Sequence, residues 1–203
     1  RASKIDINTW HHVAINIDDF DAVLYVDGEE VARSATYNIE PRMLLETTMN
    51  YIGKSRNAGH KLFDGQFDDF RIYNRALAVE EIAALATQEI PEPEEPPIED
   101  PSDAKLVLDY DMSNIEGEIV QDNTGKFNGR WINKDKASYI GNSAAGAISF
   151  AGGRTDSYIE VPKGVLDDLT DITISSLINW KGQSEAEWIF ALGTNNNNAT
   201  SKK

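Results

Sequence analysis

The chain has no cysteine, which excludes disulfide frameworks, thiol nucleophiles and cysteine-bound zinc in one step. It has no apolar run near the roughly 20 residues that a membrane-crossing helix needs, and no charged start leading into an apolar stretch marks a signal peptide, so membrane insertion is not expected. Basic residues are scarce: 19 Lys and Arg stand against 34 Asp and Glu, a net charge of −15. A surface of that sign repels phosphates, so nucleic acid is excluded as a partner and cations or neutral ligands fit better. Only three histidines are present. His11 and His12 are adjacent in an alternating run, so their side chains diverge and do not share a metal ion.

Hydrophobic residues make up 40% of the 203 residues and aromatics 9%, enough to bury one or two cores. Residues 88–104 hold seven acids, no base and five of the seven prolines. Proline fixes φ and lacks an N–H, and like charges repel, so this stretch reads as an extended, semi-rigid linker. It divides the chain into residues 1–87 and residues 105–203.

Before the linker the pattern is β. Val13, Ile15 and Ile17 alternate, and the run from Ala22 to Val26 meets Asp27-Gly28, a strong hairpin signal, before Glu30-Val31-Ala32. Residues 49–53 and 67–73 read as further strands, and residues 78–85 as a short helix with Val79, Ile82 and Leu85 in one stripe. After the linker, residues 106–112, 147–150, 158–161, 171–180 and 188–193 read as strands with turn signals between them. Short strands at such spacing imply an antiparallel sandwich or barrel.

The first segment resembles the closing half of the laminin-G-like, concanavalin A-like jelly-roll family. The likeness rests on Asn8-Thr9-Trp10-His11-His12-Val13-Ala14, on Leu24-Tyr25-Val26-Asp27-Gly28, on Ile52-Gly53, and on the run from Phe63 to Leu77 that contains Asp68-Asp69-Phe70-Arg71-Ile72-Tyr73. The second segment is similar to the opening half, through Leu106 to Met112, Asp122-Asn123-Thr124-Gly125 with Asn128-Gly129, Ile148-Ser149-Phe150 and Tyr158-Ile159-Glu160-Val161. The resemblance implies an all-β antiparallel sandwich. Two arrangements are open: the C-terminal part of one sandwich followed by the N-terminal part of a second, or one permuted sandwich built from both halves. The second requires residues 106–112 to pair with residues 67–73, within one chain or by strand exchange with a second chain.

The resemblance also implies a structural calcium near the junction of the first and last strands, with Asp68, Asp69, Asp122 and Asn128 as candidate ligands, since oxygen donors suit Ca²⁺. The competing reading makes these ordinary acids, with Arg71 as a partner. Of the four tryptophans, Trp10 and Trp180 stand in alternating runs and read as core. Trp131 and Trp188 lie beside turns and are the candidate ligand-binding residues for a polysaccharide or glycan, against a competing reading as core. Glu185 and Glu187 share a face at a separation glycoside hydrolysis can use, but no convergent acids, nucleophile-base pair or cofactor motif supports catalysis. The expected function is therefore a non-catalytic carbohydrate-binding or adhesion module of a secreted or cell-surface protein, which could carry a separate glycoside hydrolase domain. A spacer without a sugar ligand is the alternative.

Overall fold

Alternation does what the sequence leads one to expect: it builds two sheets that face each other across one core. A computed structural model describes residues 5–18, 21–36, 40–44, 46–57, 59–87, 105–141, 146–153, 157–182 and 187–194. The linker at 88–104 and Glu185 lie outside the described residues. The first segment forms β1 (Trp10–Asp18), β2 (Asp21–Val26), β3 (Glu29–Ser34), β4 (Tyr51–Ile52), β5 (Lys61–Tyr73) and the helix α1 (Val79–Ala86). The second forms β6 (Leu106–Tyr110), β7 (Ile115–Glu116), β8 (Ile119–Val120), β9 (Gly129–Ile132), β10 (Ala137–Gly141), β11 (Gly146–Gly153), β12 (Tyr158–Glu160), β13 (Ile172–Trp180), β14 (Glu187–Trp188) and β15 (Phe190–Ala191).

The large sheet runs β10-β11-β5-β13-β1-β2-β3, with β6 and β14 also paired to β5, and the small sheet runs β15-β4-β12-β9-β8-β7. Strands of the two segments alternate in both sheets, so the segments build one sandwich in permuted order. The decisive pairing is antiparallel, Phe70 opposite Tyr110 and Ile72 opposite Leu108. Just beyond it, the Asn74 N–H donates to the Lys105 carbonyl and the Lys105 N–H donates to Asn74 Oδ1.

Between the sheets, Phe67, Phe70, Phe150, Trp131, Tyr110, Ile52 and Ile159 are completely buried and come from both segments. Side chains of this size each gain on the order of 2 kcal/mol from leaving water. A second cluster covers the outer face of the large sheet, where Ile82 and Leu85 of α1 pack with Ala14, Val23, Tyr25, Tyr73 and Leu77. Val79 is 52% exposed and stays outside the expected stripe. The segment before α1 is pinned by polar bonds: Asn16 Nδ2 donates to the Leu77 carbonyl, and the Leu77 N–H donates to the Thr173 hydroxyl, which donates to Asn16 Oδ1. At the β2–β3 hairpin both Asp27 and Gly28 have positive φ, 51° and 81°. Gly28 also faces α1, where a Cβ would meet the Ala83 Cα at 3.0 Å.

Candidate functional site

An extra residue in β5 shapes the polar cluster on the large sheet. Asp68 is opposite Leu177 and Arg71 opposite Ser175, so Asp69 bulges out, with φ at 51°. The bulge lets Phe67 and Phe70 both reach the core although three positions apart. At the bulge Asp69 pairs with Arg71, two residues further along the strand.

Arg71 donates to Asp69 Oδ1 and to Asp109 Oδ1, each at 3.2 Å. Asn123 Nδ2 bridges Asp109 Oδ2 at 3.0 Å and Asp111 Oδ2 at 2.9 Å. Burial and the Asp69 charge push the Asp68 carboxyl up to about 8, despite the hydrogen bond it accepts from the Asp69 N–H. Burial likewise raises Asp69, opposed by Arg71 and reinforced by Asp109 and Asp111.

Asp122 is committed elsewhere. Its Oδ1 accepts from the N–H groups of Asp109 and Thr124, and its Oδ2 from the Thr124 hydroxyl and the N–H groups of Lys126 and Phe127. Burial works against its ionisation, but the bonds from Thr124, Asp109 and Phe127 outweigh it and hold the carboxyl below its usual range. Asn128 Oδ1 in turn accepts from the Asp122 N–H at 2.9 Å. Asp122 and Asn128 thus tie the turn after β8, while Asp68 and Asp69 stand at the bulge of β5. Among the described residues no group of three or more acidic or histidine side chains is placed to hold a metal ion.

The tryptophans divide differently from expectation. Trp131 is 0% exposed and donates its indole N–H to Ser157 Oγ at 3.1 Å. It fills the core and offers no face to a ligand, because the alternation in β9 turns it inward with Gly129 while Arg130 faces out. Trp188 is 41% exposed and stacks on His60, with ring centroids 5.7 Å apart and an 11° interplanar angle. His60 Nδ1 is 2.9 Å from Ser55 Oγ, which holds the lower ring of the stack. Below Trp188, Glu187 Oε2 accepts from Trp180 Nε1 at 2.7 Å and from the Asp64 N–H at 3.2 Å. That carboxylate braces the rim. Trp10 and Trp180 are half-buried, Trp180 at the margin of the core.

His12 lies on the outer face of the large sheet, 4% exposed, with Nε2 at 3.2 Å from Ser175 Oγ. Burial lowers its pKa to about 4, with Asp27 opposing and Arg71 assisting the shift.

On the small sheet, Tyr51, Glu160 and Arg130 stand side by side on the outer face, in register across β4, β12 and β9. Sequence reasoning missed the tyrosines. The signal was available, since Ile52 and Ile159 alternate with Tyr51 and Tyr158 and take the inner positions.

Residues 1–83 match the family model of the concanavalin A-like lectin/glucanases superfamily, laminin-G type. No curated protein and no solved structure matches the chain. The match covers the first segment alone, and the antiparallel β-sandwich that this segment completes with the second is consistent with a concanavalin A-like fold.

Proposed function

We propose that this sandwich is a non-catalytic module of an extracellular protein that holds a carbohydrate at the Trp188 rim. The observation that carries the reading is the exposed Trp188 indole, held flat against His60 at the end of β14 where it pairs with β5. A flat aromatic surface complements the C–H face of a sugar ring, and one that is already stacked loses little side-chain freedom on binding. The braced carboxylate of Glu187 and the neighbouring Lys61 add polar character at the same strand pair. The fold alone does not choose a sugar. A glycan array and pull-down on insoluble polysaccharides test the reading. The wild-type chain should bind at least one glycan, and Trp188→Ala should weaken that binding at least about tenfold, the loss of one aromatic anchor, with an unchanged melting temperature. Binding that survives Trp188→Ala would remove the rim from the site, and no binding at all would favour a spacer.

A further inference from the structure

The outer face of the small sheet holds a second arrangement of binding groups, on the opposite side of the sandwich core from the strands that carry the acidic cluster. Tyr51 and Tyr158 meet there with ring centroids 5.4 Å apart and planes at 83°. Two rings at that angle form an inside corner, and the negative π faces of both look toward one point. That point is filled by the chain itself: the Lys54 ammonium sits 3.7 Å from the Tyr158 ring centre and 4.7 Å from that of Tyr51. Among the described residues Lys54 makes no ion pair, and both rings lie within cation–π reach of its ammonium.

Next to the corner lies Glu160, opposite Tyr51 in the β4–β12 ladder. Its carboxylate has no basic partner among the described residues and accepts only a long 3.5 Å hydrogen bond from the Tyr158 hydroxyl. Its charge helps raise the Tyr51 hydroxyl, after burial and against Lys54. A cleft of about 250 Å³ opens beside these groups, walled by Tyr51, Glu160 and Arg130.

We propose that this corner is a receptor for organic ammonium ions, in which Tyr51 and Tyr158 supply the walls, Glu160 the counter-charge, and Lys54 the resident cation that a ligand displaces. The ligand class follows from the donors. Hard metal cations need several oxygen ligands, whereas ring faces attract ammonium groups and above all quaternary ones. Displacement is favoured by hydration: a primary ammonium is a compact, strongly hydrated charge on a flexible stem. Leaving the corner returns it to water and frees its rotamers, while a methylated ammonium gives up less hydration on entering. The cleft takes the remainder of the ligand.

Titration with tetramethylammonium chloride, followed by amide and aromatic NMR shifts, tests the proposal against sodium chloride at equal ionic strength. Saturable shifts should centre on Tyr51 and Tyr158 with tetramethylammonium alone. Lys54→Ala, which empties the corner, should tighten binding at least about threefold, within the range of a cation–π contact. Tyr158→Leu should abolish saturation, and Glu160→Gln, which leaves both rings, should weaken binding about threefold. Identical shifts with sodium chloride, equal affinity in Lys54→Ala, or full binding in Tyr158→Leu and Glu160→Gln would overturn it.

Discussion

Two buried ionisable residues on the large sheet respond to pH in opposite senses. Asp68 titrates at about 8 in the folded chain, above its ordinary 3.8. Its contribution to stability is full below the lower value and is lost as pH rises through the upper one. His12 titrates at about 4, below its ordinary 6.5, so its contribution is full above 6.5 and is lost as pH falls toward 4. Between those limits the two slopes offset each other. Asp68→Asn keeps an oxygen to accept the Asp69 N–H and removes the charge. It should raise stability at neutral pH by about 1–2 kcal/mol and leave a stability that falls steadily on acidification from pH 6.5. His12→Gln should leave the opposite trend, a stability that grows as pH drops from 8. Urea unfolding midpoints across pH 4 to 8 measure both, and parallel profiles for the two variants would contradict the assignment.

Among the elements, β5 carries the most constraint, since it pairs with β11, β13, β6 and β14. At Gly65 it is flanked by Phe150 on one side and Trp180 on the other. A Cβ there would strike the Asn179 carbonyl oxygen and approach the Phe63 ring at 2.9 Å. Backbone in the middle of a sheet cannot move aside, so Gly65→Ala should destabilise by about 2 kcal/mol or more, or roughly 4–8 °C in melting temperature for a chain of this size. Gly117 is a control with φ at 63° and no atom within 4 Å of the place a Cβ would take. Its replacement by alanine should cost only the strain of a positive φ, about 1 kcal/mol. Equal losses for the two variants would show that close approach in β5 is not what requires glycine.

Across the whole molecule, neither segment can bury its own apolar surface. β13 lies between β5 and β1, and β4 lies between β15 and β12, so removing the second segment would open the ladders of the first in both sheets. Exposed edges and an uncovered apolar face drive aggregation. A protease site placed within residues 88–104 tests this interdependence. After cleavage the two fragments should elute together and melt in one transition, whereas residues 1–87 expressed alone should be insoluble. Separation of the fragments in native buffer would mean that the segments do not need each other.

What the sequence determined by itself was local or carried by family likeness: the hairpin at Asp27-Gly28, the helix near residue 80, the alternation that makes both segments β, and the antiparallel sandwich. Each depends on neighbouring residues or on a motif several residues long. Long-range docking was open, and only the tertiary structure decided it, because complementary apolar faces state that a partner is needed but not which one. The sites show the same division. Trp131 and Trp188 both follow turns in the sequence, yet the inward phase of β9 buries the first and a rim position exposes the second. Asp122 is marked in the sequence by its place in a motif, and only the fold shows the five hydrogen-bond donors gathered around it that make it the anchor of a turn. Side-chain phase and the direction of lone pairs are set by packing across the whole sandwich, and that is why they were not legible one residue at a time.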